Sequence, residues 1–190
     1  MTKFEYKIVP CEHTFSPRGN DNLGKMICFH NRYDLGDTHH YKSSDYNSFS
    51  EMKVAILKDS GRGAVILPIY AYIHSGITIS SSPFSCPWDS GQLGFIVATR
   101  ESILENFMVK RITKKITERT LAILEAEIKE YDQYIRGEVY AYKIFEVEYD
   151  EHGNELSREE IENIGGYYSE EDCESDAKNS VEAYEKQVVA

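Results

Sequence analysis

The segment Ala64-Val65-Ile66-Leu67-Pro68-Ile69-Tyr70-Ala71-Tyr72-Ile73 carries no charge and no small polar residue. It is about half the length of a bilayer-spanning helix and contains a proline, so it has to be buried in protein. Its Val, Ile and Tyr content reads as a central strand covered on both faces. Leu93–Ala98 is a second apolar strand of the same kind, and Gly76–Ser82 lies between them as a short partner strand. A chain with two such runs is committed to a sheet core.

The remaining elements are read from period and caps. Phe4–Pro10 is the first strand. Lys25–Tyr33 is a second, with Met26, Cys28 and His30 on one face and Ile27, Phe29 and Asn31 on the other. Ser48 and Glu51 have capping-box spacing, so a helix starts there, burying Phe49, Met52 and Ile56, and ends at Gly61 and Gly63. Thr99 caps a short helix over Arg100–Phe107. The longest helix runs from about Thr113 to Arg136, with Ile116, Thr120, Leu124, Ile128, Tyr131 and Ile135 on one face, and Gly137 stops it. Val139–Tyr149 is a strand and Glu151–Asn154 a turn. Glu155–Tyr168 stays open between strand and helix, and Glu170–Gln187 is a final acidic helix. The order lacks strict βαβ alternation. It predicts an α+β fold with a mixed, largely antiparallel sheet, one long helix and an acidic C-terminal helix. The length of 190 residues fits one such domain over 1–190, with an acidic subregion at 146–190.

The charge is unevenly distributed. The chain has 32 acidic and 21 basic residues, a net charge of −11. Residues 1–145 account for +1 and residues 146–190 for −12. Net acidity argues against a general nucleic-acid binder, which needs positive charge to release counterions. The acidic quarter has two readings. One is a solvated face that keeps the protein soluble. The other is a DNA-mimicking surface, in which Glu159, Glu160, Glu162, Glu170, Glu171, Asp172, Glu174 and Asp176 imitate a phosphate track and occupy a basic cleft. Lys110, Arg111, Lys114, Lys115 and Arg119 form an opposite cluster at the start of the long helix.

The segment His74–Phe95 is the least generic part of the chain, with the only tryptophan and many hydroxyls between two apolar strands. Trp88 beside Asp89 suits contact with a partner or ligand; a packed structural loop is the alternative. Cys28, His30, His39, His40, His74 and Cys86 supply enough nitrogen and sulfur donors for a structural zinc, without the CxxC or HxxxH spacing that would specify one. Cys86, His74 and Asp89 also allow a thiol–imidazole–carboxylate set. There is no phosphate-binding glycine loop, HExxH or GxSxG. The first residues lack the apolar core of a secretory signal, so a cytoplasmic location is expected.

The blocks Cys28-Phe29-His30-Asn31-Arg32-Tyr33-Asp34-Leu35-Gly36-Asp37, His74-Ser75-Gly76-Ile77-Thr78 and Pro83-Phe84-Ser85-Cys86-Pro87-Trp88-Asp89-Ser90-Gly91-Gln92 resemble a family of uncharacterised proteins from phages and mobile elements of Gram-positive bacteria. The resemblance covers about residues 15–145 and implies a phage or prophage setting. It supplies no catalytic residues. By analogy with small acidic phage proteins, the expectation is an inhibitor of host defence of the anti-CRISPR or anti-restriction type. It would bind a nucleic-acid-processing effector, such as a CRISPR nuclease, through the acidic surface and Trp88. The alternative is a metal- or thiol-dependent enzyme acting on a small molecule or a defence nucleotide.

Overall fold

The computed structural model describes residues 1–19 and 21–189. It is an α+β structure in which every strand pairing is antiparallel. Where the sequence reads as one domain with an acidic subregion at 146–190, contacts divide the chain into two compact units. The first is Met1–Phe15 with Gly137–Ala190, and the second is Ser16–Arg136. The N-terminal strand therefore belongs with the acidic C-terminal part.

The second unit is a four-stranded sheet between helices. Its strands are β2 (Lys25–Cys28), β3 (Val65–Ile73), β4 (Ile77–Ser80) and β5 (Ser90–Ala98), in the order β2-β5-β3-β4. Helix α1 (Phe49–Asp59) lies on one face, where Met52 and Ile56 pack with Ile27, Phe95 and Val97. Helix α3 (Lys114–Arg136) lies on the other, where Leu124, Ile128 and Tyr131 pack with Met26, Ile69 and Ile96. Each fully buried Ile or Leu here contributes about 1.5–3 kcal/mol. The strand buried on both faces is β5, from Leu93 through Ala98. In contrast to the sequence reading, β3 buries only Val65, Ile69 and Ala71, because α1 does not reach along its length. Strand β2 ends at Cys28, earlier than Tyr33, since the chain turns away beyond it. Gly94 sits where any Cβ would meet the Ile27 carbonyl, so only glycine allows β2 and β5 this close.

Local caps form as the sequence predicts. The Ser48 side chain accepts from Glu51 N–H at the start of α1, and the Glu51 carboxylate accepts from Asn47 N–H. Thr99 caps α2 (Arg100–Asn106) through Ser102 N–H. Gly137, at φ 71°, ends α3 in the left-handed region.

The first unit is a three-stranded sheet in the order β1-β6-β7, with one helix on one face. Its elements are β1 (Thr2–Pro10), β6 (Tyr140–Tyr149), β7 (Glu155–Tyr167) and α4 (Glu170–Val189). The open segment Glu155–Tyr168 is thus a strand. Cys173, Ala177 and Val181 of α4 pack on Tyr6, Tyr142, Ile144 and Ile161. The β6–β7 register slips at three places, between Tyr140 and Ala141, Ile144 and Phe145, and Glu148 and Tyr149. These irregularities bend the β7 edge. No helix among the described residues is long and apolar enough to cross a membrane.

Candidate functional site

The charge split follows the two units. The first unit has 18 acidic and six basic residues, net −12; the second has 14 and 15, net +1. Glu170, Glu171 and Asp172 form the first turn of α4. Carboxylates there complement the positive end of the helix, and Ser169 Oγ accepts from Asp172 N–H. These three and Glu159 on β7 are exposed and make no ion pair among the described residues. The other acids of the expected surface are tied into the unit. Glu160 pairs with Lys143 at 2.9 Å. Glu162 accepts from Tyr142 OH at 3.5 Å. Glu174 accepts from Tyr6 OH and pairs with Lys178, both at 2.9 Å. Asp176 accepts from Tyr167 OH at 2.9 Å. The bonds from Lys178 and Tyr6 hold the Glu174 carboxyl below its ordinary range. Lys143 faces away from α4, so Glu160 lies on the opposite sheet face from Glu162. The single continuous track imagined from sequence is therefore an exposed group around the start of α4, with Glu159 on the adjacent strand of the same unit.

In the second unit, the loops after β2 and β3 meet the loop before β5. Phe29 N–H donates to the Leu93 carbonyl at 2.9 Å, and Ile73 N–H to the Asp89 carbonyl at 2.8 Å. The three sequence blocks singled out above thus come together. Trp88 is 91% exposed there, so it is not core filling. Asp89 Oδ2 takes a bond from His74 Nδ1 at 3.2 Å and a long contact from Cys86 Sγ at 3.9 Å. The carboxylate stands between thiol and imidazole. A thiol nucleophile needs the imidazole against the sulfur, and here each bonds to Asp89 instead. Ser90 Oγ donates to the Cys86 carbonyl and ties the loop to itself.

The six residues expected to hold zinc divide differently. His74 and Cys86 share Asp89 as a partner. Cys28 is buried beneath α3, and burial, then the Asp37 charge, pushes its thiol up to about 12. His30 Nδ1 accepts from the backbone N–H groups of Arg32 and Tyr33, at 3.1 and 3.2 Å. His39 Nε2 donates to the Cys28 carbonyl at 3.0 Å and its Nδ1 is buried without a bond. His40 packs on Tyr41. Among the described residues no three His, Cys, Asp or Glu side chains gather as a metal-ligand group.

Sequence reasoning missed a buried charge network in the second unit. Arg18 donates to both Asp37 oxygens, at 3.0 and 2.6 Å, and to Glu127 at 3.1 Å. Glu127 also accepts from Leu23 and Gly24 N–H, and Asp37 from Met26 N–H. Burial works against the Arg18 charge, but the bonds and charges of Asp37 and Glu127 outweigh it and raise its affinity for the proton. Asp132 likewise accepts from Ile79 N–H at 2.7 Å and pairs with Arg136. These carboxylates satisfy strand and loop N–H groups, which makes the network structural. A charge at a buried position of the α3 stripe was the available signal: Glu127 and Asp132 flank Ile128 and Tyr131.

Comparisons with protein-family models, curated proteins and solved structures find no match to the chain.

Proposed function

We propose that the protein is a non-enzymatic inhibitor that docks its acidic unit on the basic, nucleic-acid-binding surface of a host defence effector. The resemblance of its central blocks to phage and mobile-element proteins supplies the setting, and a CRISPR nuclease or a restriction enzyme is the kind of partner it suits. The observation that carries the reading is the partition of charge: −12 in one 69-residue unit, against +1 in the rest. A field of that density steers a cationic partner and competes with phosphates for it. Glu159, Glu170, Glu171 and Asp172 are the groups open to such a partner.

The test is a competition assay with the purified effector and its DNA. The protein is expected to displace DNA, and displacement should weaken steeply as salt rises from about 50 to 200 mM. The variant with Glu159, Glu170, Glu171 and Asp172 changed to Gln or Asn should lose most of the effect. Inhibition that ignores both salt and these substitutions would sink the reading. A structural zinc held among His74, Cys86 and their neighbours remains part of the proposal; metal analysis of the purified protein tests it, and its removal should then loosen the loop around Trp88.

A further inference from the structure

We propose that the loop end of the second unit binds a nucleotide, with the base against Trp88 and the phosphate at Arg32. The reading stands apart from the acidic face, which lies in the other unit. Two adjoining cavities, each of about 370 Å³, open there and share Phe29, His30 and Ile73. One is walled by Trp88, Asp89 and Gln92. The other is walled by Asn31, Arg32 and Tyr33. Each is in the size range of small-molecule sites, and their shared wall joins them into one trough with Trp88 lining one part and Arg32 the other. The trough is preformed, because backbone bonds from Phe29 to Leu93 and from Ile73 to Asp89 fix its walls.

The polar groups define the ligand. Trp88 leaves 91% of its surface in water beside a cavity, an open face for a stacked ring. Asp89 uses only Oδ2 for His74 and Cys86, so Oδ1 is an anchored acceptor. An acceptor of this charge selects an amino group. His30 Nδ1 takes two backbone N–H bonds, which places the proton of the neutral ring on Nε2 and makes that atom a donor. Arg32 is exposed, lines the second cavity and makes no ion pair among the described residues, so its guanidinium is open to a phosphate. A base bearing an exocyclic amine fits these donors and acceptors better than uracil.

Trp88 is the only tryptophan in the chain, so its emission reads this site directly. The full-length protein is titrated with adenosine monophosphate, uridine monophosphate, adenosine, ribose 5-phosphate and a short single-stranded oligonucleotide. Adenosine monophosphate is expected to change the emission saturably, with uridine monophosphate about tenfold weaker. Arg32→Ala should weaken adenosine monophosphate about tenfold and leave adenosine unchanged. An oligonucleotide tighter than the mononucleotide assigns the ligand to a nucleic-acid strand; the reverse assigns a free nucleotide. No saturable change with either at millimolar concentration overturns the proposal. So does ribose 5-phosphate binding as well as adenosine monophosphate, or an Arg32→Ala variant indistinguishable from the parent.

Discussion

The two units solve the same problem, how to carry charged groups on a folded chain, in opposite ways. The second unit buries a few charges and closes them in a network: Arg18 between Asp37 and Glu127, and Asp132 with Arg136. The first unit keeps its charges at the surface and has only six bases for 18 acids. There, phenols do what bases cannot. Tyr6, Tyr149 and Tyr167 donate to Glu174, Glu5 and Asp176 at 2.6–2.9 Å. A phenol O–H orders a carboxylate without cancelling its charge. The unit can therefore be both well ordered and strongly negative.

The sharpest way to break the comparison is Glu127→Ala. It removes one of the two carboxylates that hold Arg18, Asp37 remaining, and leaves the Leu23 and Gly24 N–H groups without a partner in a buried site; a loss of about 2–4 kcal/mol is expected. Urea unfolding followed by far-ultraviolet circular dichroism measures it, and a loss below about 1 kcal/mol would mean the network contributes little. Next is Ile144→Ala, which empties the centre of the cluster under α4. About 2–5 kcal/mol is expected, seen as lost hydrogen-exchange protection in β1, β6 and β7. Neutralising Glu170, Glu171 and Asp172 together removes the favourable charges at the start of α4. The cost is about 1 kcal/mol at low salt and less at high salt, read as fraying of that helix.

The smallest effect is the pH response, and its weight falls on the first unit. In the first unit, Glu5 is held below its ordinary value by bonds from Tyr149 and Arg158, and Glu174 by bonds from Lys178 and Tyr6. Carboxyls lowered in this way stabilise the fold above their ordinary value of 4.5 and lose that contribution as pH falls through the lower, folded value. In the second unit, bonds from Asn47 lower Glu51, whereas burial, then the Glu127 charge, raises Glu130, so the two groups act in opposite directions as pH falls. Hydrogen exchange followed from about pH 6 downward should show the first unit loosening before the second. Glu174→Gln should flatten that dependence. Loss of protection in the second unit first would contradict the assignment.

Much of the fold was legible because its signals are local. Ser48, Thr99 and Gly137 mark their helix ends by chemistry that acts within four residues. The α3 stripe declares its buried face through its period. The division into units was not legible, because β1 pairs with β6 in a register that joins Thr2 to Glu148 and Pro10 to Tyr140. The charge shift at residue 146 lies close to the C-terminal boundary, but nothing in composition shows that residues 1–15 join the acidic part. Arg18 and Asp37 sit in polar loops that look solvated, and only their distant partner Glu127 makes them interior. At the loop end the sequence blocks were recognisable as unusual, and Trp88 and Asp89 do meet there. The six His and Cys residues lie in different surroundings: Cys28 faces the core, His30 and His39 bond to backbone groups, and His74 and Cys86 meet at Asp89.

The bent edge of β7 has one more consequence. A long outer strand is the usual template on which further chains assemble into fibrils. Here three slips in register and a row of glutamates deny a second molecule both the straight hydrogen-bonding line and the electrostatic tolerance it would need. The same edge that repels its own kind stays open to an opposite charge. At high concentration this edge should therefore stay free of copies of itself instead of being lost to accretion.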